Sequence, residues 1–131
     1  MRDEAAPKTF GQFFKEQRQR LGLTLRAFCE GARLDAGNLS KLERGILPPP
    51  ESREKLEEYA SHLRLREAST EWYEFFDLAA AEQGRLPHDL VDDDKVREKL
   101  PVLFRTLRGQ RLPDEGLDEI VRKVRGDLSG R

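Results

Sequence analysis

The sequence predicts an all-α protein, in which a five-helix N-terminal domain is followed by a C-terminal helical extension. Apolar residues recur at three- and four-residue spacing in successive segments, which is the period of one face of an α-helix. Residues that favour helix starts precede these segments, and glycine or proline stands between most of them. Alternating runs of β-branched residues are absent from the sequence, so nothing in it favours strands.

The first three predicted helices are short, and each has a cap residue in front of it. Thr and Asp side chains accept hydrogen bonds from the free amides of a first turn, and glycine adopts the left-handed conformation that often ends a helix. Leu39 and Leu42 give the third helix an apolar face. The predicted caps and ends are Thr9 and Gly22 for the first helix, Thr24 and Arg33 for the second, and Asp35 and Gly45 for the third.

Two further helices complete the predicted N-terminal domain. The three prolines at 48–50 prevent helix continuation and form a stiff, extended turn. A fourth helix is predicted from about Ser52, and a fifth from Ser69 or Thr70 to about Gln83. The aromatic residues lie at helical spacing within these helices, so we expect them in the core and not on a surface that stacks bases.

A link and three short helices are predicted for the C-terminal part. Residues 85–90 are rich in turn formers and are predicted to be the link. Proline is tolerated in the first turn of a helix but not in its interior, so Pro101 predicts two helices, at about 93–99 and 101–108, with a break or kink between them. A final helix is predicted from Pro113 for the same reason.

This organisation predicts two parts, a domain of residues 1–84 and a C-terminal helical region of residues 85–131. The C-terminal region has more apolar positions than a short extension easily buries alone, which suggests a surface for self-association or for a partner. The alternative is that the region folds back on the fifth helix, and the sequence leaves both open. The apolar positions are Val96, Leu100, Leu103, Phe104, Leu107, Leu117, Ile120, Val121 and Val124.

Charge is distributed unevenly along the chain. The 131 residues carry a net charge of −1, and 37% are charged and 37% hydrophobic, a composition that fits a folded helical protein. Residues 8–66 contain 12 basic and 8 acidic residues, whereas residues 67–131 contain 11 basic and 15 acidic residues. A locally basic segment can contact phosphates, although this excess alone is weak evidence for a nucleic-acid partner.

Several classes of function are disfavoured by what the sequence lacks. No apolar run approaches the roughly 18 residues of a membrane span and the N-terminus lacks a signal pattern, so we expect a cytoplasmic protein without membrane contact. Cys29 is the only cysteine and has apolar neighbours, so we expect it to pack in the core. A calcium-binding loop needs a glycine, and none lies in the segment that contains His88, Asp89 and the acidic run Asp92–Asp94, so we predict no metal site. Catalytic motifs are missing from the sequence, so we also predict no cofactor and no enzyme activity.

Residues 23–45 contain two short predicted helices joined by three or four residues, which are the dimensions of a helix-turn-helix. They read Leu-Thr-Leu-Arg-Ala-Phe-Cys over 23–29 and Leu-Asp-Ala-Gly-Asn-Leu-Ser-Lys-Leu-Glu-Arg-Gly over 34–45. This segment resembles the XRE family of phage-repressor (Cro/C1-type) helix-turn-helix proteins, most specifically in the Leu-Ser-Lys-Leu-Glu-Arg-Gly run and the prolines after it. The resemblance covers roughly residues 9–83 and implies a five-helix, lambda-repressor-like domain.

The resemblance implies that the second helix crosses the DNA backbone and that the third lies in the major groove of double-stranded DNA. Asn38 can form a bidentate pair with adenine, and Lys41 can donate to O6 and N7 of guanine. We expect Asp35 to be a helix cap, because an acidic residue facing DNA is unfavourable unless it accepts from cytosine. The candidate base contacts are Ala36, Gly37, Asn38 and Lys41. The candidate phosphate contacts are Thr24, Arg26, Ser40 and Arg44.

Two features depart from the family pattern. Ala36 and Gly37 replace the polar side chains that many relatives have, and Arg33 stands where the turn often has glycine. Base readout is therefore expected to be sparse, or to be supplemented by recognition of DNA shape.

Together these expectations describe a sequence-specific, DNA-binding transcriptional regulator. One helix-turn-helix covers half of a typical operator, so we expect a repressor that binds an inverted repeat as a homodimer, with half-sites roughly 34 Å apart. The alternative is an antitoxin of a toxin–antitoxin pair, whose C-terminal helices bind a protein partner and whose DNA binding is autoregulatory. An adjacent toxin-like or metallopeptidase reading frame would favour the antitoxin, and an isolated promoter would favour the repressor.

Overall fold

The computed structural model describes residues 8–110, 117, 118 and 121, and this part of the chain is helical, without strands. The all-α prediction is therefore confirmed. The described residues divide into two compact units, with the boundary between Asp89 and Leu90. The helices are α1 (Phe10–Arg20), α2 (Leu25–Ala32), α3 (Ala36–Glu43), α4 (Arg53–His62), α5 (Thr70–Glu82), α6 (His88–Val91) and α7 (Asp94–Gln110).

Side-chain caps begin each of the first five helices. Each cap side chain accepts a hydrogen bond from the backbone N–H three residues later, which satisfies one of the donors left free by a helix start. At α1 the pairing is reciprocal, because the Gln12 side chain also accepts from the N–H of Thr9. The caps are Thr9, Thr24, Asp35, Ser52 and Ser69.

An aromatic cluster forms the centre of the N-terminal unit, as the helical spacing predicts. Phe14 is fully buried, and its ring lies 5.7 Å from those of Phe28 and Tyr59 and 6.4 Å from that of Phe75. Edge and tilted ring contacts of this kind stabilise a core beyond the area they bury. Cys29 lies in the same core, and burial raises the pKa of its thiol, so the prediction of a packing role is confirmed.

α5 is tied to the start of the domain and to the prolines that follow α3. The N–H of Phe10 donates to Oε2 of Glu82 over 2.7 Å. The Gln83 side-chain amide donates to the carbonyl oxygens of Pro49 and Pro50, over 3.1 and 2.7 Å. These bonds hold the proline turn in place, although proline itself offers no backbone donor.

Two predictions for the C-terminal part are wrong. The predicted break between residues 93–99 and 101–108 is wrong, because one 17-residue helix, α7, contains Pro101 in its interior, whereas the alternative of a kink at Pro101 stays a prediction. Proline removes the hydrogen bond to the carbonyl four residues earlier, but the bonds of the flanking residues remain and continue the helix. The predicted link at 85–90 also includes the start of α6, where the fixed backbone of Pro87 leads directly into a helical turn.

The structure describes only part of the last helix predicted from the sequence. Leu117, Asp118 and Val121 are helical, and the rest of the helix predicted from Pro113 lies outside the described residues. Within the described part, none of the helices is both long enough and apolar enough to cross a bilayer.

Candidate nucleic-acid interface

α2 and α3 are two eight-residue helices connected by the three residues 33–35. Arg33 ends α2 in the left-handed conformation, and its N–H and that of Leu34 donate to the carbonyl oxygen of Cys29. Asp35 then starts α3, because its carboxylate accepts from the N–H of Asn38 over 2.9 Å. The short turn thus fixes the angle between the two helices through hydrogen bonds at both of its ends.

α3 has one buried face and one exposed face. Leu39 and Leu42 pack in the core at 3% and 6% exposure. Asn38 and Lys41 lie on the exposed face, three residues apart and hence neighbours on the helix surface. An eight-residue helix is only marginally stable alone, so contacts from the rest of the domain must determine how α3 is oriented.

A buried ion pair anchors the end of α3 to α1. Nε and Nη2 of Arg18 lie 2.7 and 3.0 Å from the two carboxylate oxygens of Glu43, and both side chains are at most 7% exposed. The third guanidinium nitrogen, Nη1, donates to the carbonyl oxygen of Leu23 over 2.8 Å. The hydrogen bond to Glu43 raises the pKa of the guanidinium, against the opposing effect of burial. Arg18 therefore joins α1, the end of α3 and the residue before the cap of α2.

Close backbone contact provides a second anchor at the same end of α3. A Cβ placed on Gly11 of α1 would lie 2.3 Å from the carbonyl oxygen of Leu42 and 2.7 Å from that of Glu43. Only a residue without a side chain allows the two helices to approach this closely. Gly11 and Arg18, two turns apart on α1, thus contact the last residues of α3 from one side.

Comparison with known proteins identifies this arrangement. A family model described as a helix-turn-helix domain matches residues 9–72, which span α1 to α4 and the first turn of α5. Residues 9–72 are a helix-turn-helix domain of the XRE/Cro type. No curated protein and no solved structure matches the chain. The resemblance seen in the sequence is confirmed for this segment, and so is the prediction of a helix-turn-helix fold.

The helix-turn-helix domain places the candidate base contacts on the exposed face and exposed start of α3. Ala36, Gly37, Asn38 and Lys41 are all exposed, and within the described part of the chain the Asn38 amide and the Lys41 ammonium have no hydrogen-bond or ion-pair partner. A Cβ on Gly37 would lie 3.1 Å from Oδ1 of Asp35, so the cap leaves little room for a side chain there. Two polar side chains on this face are thus available to a ligand.

The candidate phosphate contacts lie on α2 and along α3 of the same domain. Thr24 and Arg26 are exposed at the start of α2, where the Thr24 hydroxyl oxygen accepts from Ala27 and keeps its proton for donation. Ser40 is half-buried, and Arg44 is exposed with its Nε donating to the carbonyl oxygen of Ser40 over 3.3 Å. All eight candidates therefore belong to one helix pair and its flanks.

The exposed charge of the helix-turn-helix segment is positive. Over residues 24–45, four basic side chains are exposed, namely Arg26, Arg33, Lys41 and Arg44. Only Glu30 and Asp35 oppose them at the surface, because the third acidic residue, Glu43, is buried against Arg18. A surface with this excess of positive charge attracts phosphates. The net charge of the whole chain, −1, does not reveal this local excess.

Sequence reasoning missed both anchors of α3. Arg18 lies four residues after Phe14 on the inward face of α1, and a charged residue at an inward position signals that a buried partner is required. The sequence could not name Glu43 as that partner, since 25 residues separate the two. Among the described residues, no three His, Cys, Asp or Glu side chains are grouped as ligands of a metal ion would be.

Proposed function

We propose that the protein is a sequence-specific, DNA-binding transcriptional regulator that inserts α3 into the major groove. The observation that carries this proposal is the contrast between the two faces of α3. Its inner face is fixed by Leu39, Leu42 and Glu43, while Asn38 and Lys41 point outward without a protein partner in the described structure. Rigid presentation of unpaired donors and acceptors is what direct base readout requires.

In this proposal each exposed side chain has a defined role. Asn38 reads adenine through two hydrogen bonds, and Lys41 donates to guanine. Ala36 offers its methyl group to thymine, and Gly37 lets the backbone approach a base edge closely. The phosphate contacts fix the register of the helix on the duplex without reading sequence; they are Thr24, Arg26, Ser40 and Arg44. Action on DNA agrees with the cytoplasmic location expected from the sequence.

The test is a binding titration of the full-length protein on its own upstream region, at about 50 and 200 mM salt. Asn38→Ala and Lys41→Ala are each expected to weaken specific binding by roughly 5- to 150-fold, the equivalent of about 1–3 kcal/mol. Lys15→Ala, which removes an exposed lysine from α1, is the matched control and should bind as the wild type does. Specific binding that is unaffected by the Asn38 and Lys41 changes would contradict the groove assignment of α3.

The finer part of the proposal is that the protein represses transcription as a homodimer on an inverted repeat, held together by its C-terminal region at 85–131. The support is a set of exposed apolar side chains in the unit that begins at Leu90. Five large apolar side chains there are at least 38% exposed: Val91, Val102, Phe104, Leu117 and Val121. We infer that a second chain covers these side chains, because burial of exposed apolar groups favours association.

Light scattering during size-exclusion chromatography tests this part. The wild type is expected to elute with the mass of two chains, and Phe104→Asp with the mass of one, since Phe104 is 45% exposed and a carboxylate there would oppose burial against a second chain. A monomeric wild type would contradict the homodimer. In that case the same surface would favour the antitoxin alternative, which predicts a stable complex with the product of the adjacent gene.

A further inference from the structure

Arg33 has a backbone conformation that suits glycine. Its φ and ψ angles are 59° and 46°, in the left-handed region where a Cβ is crowded against the following carbonyl group. Six of the described residues have a positive φ: three are glycine, namely Gly22, Gly45 and Gly84, and three are not, namely Arg33, Arg64 and Ala68. Arginine at the turn of the helix-turn-helix therefore destabilises the fold relative to glycine, and a contribution of its side chain would offset that cost.

Nothing inside the described structure provides that contribution. The Arg33 side chain is exposed, and it makes no hydrogen bond or ion pair with another described residue. The closest acidic residue in sequence is Asp35, but its carboxylate already accepts from the N–H of Asn38 as the cap of α3. Among the described residues the guanidinium thus has no partner, and a strained backbone holds it in the three-residue turn.

We propose that Arg33 contacts a phosphate of the bound duplex, at the edge of the groove that α3 enters. The inference rests on the proposed DNA-binding function, in which α2 crosses the backbone and the start of α3 is inserted in the groove. The turn between them then lies beside the backbone that flanks the groove, and arginine has the reach and the paired donors that a phosphate takes. In this role the Arg33 side chain adds affinity at the expense of domain stability.

This proposal predicts changes of opposite sign for Arg33→Gly. The melting temperature of the full-length protein should rise by about 2 to 6 °C, because the strain is relieved. Affinity for the operator should fall. The plot of log K against log salt concentration should become less steep by roughly 0.9, so the ratio of wild-type to variant affinity should shrink about 3.5-fold between about 50 and 200 mM salt. Arg33→Ala keeps the strain and removes the guanidinium, so it should weaken binding equally without raising the melting temperature.

Arg64→Gly is the matched control. Arg64 has a φ of 58°, is exposed, and lies after α4, outside the α2–α3 pair. Its replacement removes the same charge and the same strain, so the melting temperature should rise while the salt slope stays at the wild-type value. Wild-type binding by Arg33→Gly, an equal loss in Arg64→Gly, or a loss in Arg33→Gly that Arg33→Ala lacks would each overturn the phosphate contact. A wild type that binds no DNA would instead contradict the proposed function, and this contact with it.

Discussion

Replacement of Gly11 by alanine should destabilise the domain, although alanine is ordinarily the better residue in a helix. The new Cβ would lie 2.3 Å from the carbonyl oxygen of Leu42, and ordinary contact begins near 3.4 Å, so α1 and α3 must separate locally by about 1.1 Å. Both crowded oxygens belong to the α3 backbone, which cannot rotate away as a side chain can. We expect a cost near 3 kcal/mol, the upper end of the range of about 1–3 kcal/mol for overpacked cores.

The propensity gain of up to about 1 kcal/mol offsets part of this cost, which leaves a net loss near 2 kcal/mol. For a domain of this size the melting temperature should then fall by about 8 to 16 °C, as measured by circular dichroism. Gly31→Ala is the matched control, since Gly31 is exposed in α2 and a Cβ there meets no atom within 4 Å. That variant should melt about 4 to 8 °C higher than the wild type. A Gly11→Ala protein that melts at or above the wild-type temperature would refute the close contact between α1 and α3.

Two further predictions concern the ends of α3. Glu43→Gln leaves the Arg18 guanidinium buried without a counter-charge and should lower the free energy of unfolding in urea by about 3–5 kcal/mol, whereas methionine at both positions should recover most of that loss. A double variant that loses as much as the single, or more, would show that the unpaired buried charge is not the cause of the loss. Asp35→Ala should cost about 1 kcal/mol through the lost cap, whereas Asp35→Asn should keep the stability and bind DNA more tightly. Weaker specific binding by Asp35→Asn would make Asp35 a base-reading residue.

Local features of the fold could be predicted from the sequence because they depend on neighbouring residues. A cap such as Thr24 bonds to an amide three residues away, so the residues that start α2 are adjacent in the sequence. The inward positions of α3 follow from helical spacing for the same reason, and Leu39 and Leu42 are buried as expected. The exposed positions of Asn38 and Lys41 follow from the same spacing, since each precedes an inward leucine by one residue and is therefore rotated about 100° from it around the helix.

Two kinds of feature could not be predicted. The first depends on contacts between residues far apart in the chain, and the second on a single residue that is compatible with two local structures. Arg18 and Glu43 meet only after α1 and α3 have packed, and Gly11 is conspicuous only when the backbone it contacts is known. Pro101 can either end a helix or be absorbed within one, and the local sequence does not decide between them. In α7 the helix extends on both sides of the proline, so the hydrogen bonds before and after it outweigh the one that is lost.

The small number of proposed base-reading side chains bears on the proposed oligomeric state. In the proposed role Asn38 and Lys41 would each supply roughly 1–3 kcal/mol of discrimination, so one domain would supply about 2–6 kcal/mol. Specific binding typically exceeds non-specific binding by about 4–10 kcal/mol, and two domains on an inverted repeat would supply about 4–12 kcal/mol. A single domain therefore enters the required range only when each contact supplies about 2 kcal/mol and reaches no further than its middle, whereas a pair enters it with about 1 kcal/mol from each contact. Since Ala36 and Gly37 would add little polar readout, the proposed pairing of two chains through the exposed apolar side chains of the C-terminal region would be the simplest way for this helix-turn-helix domain to be selective.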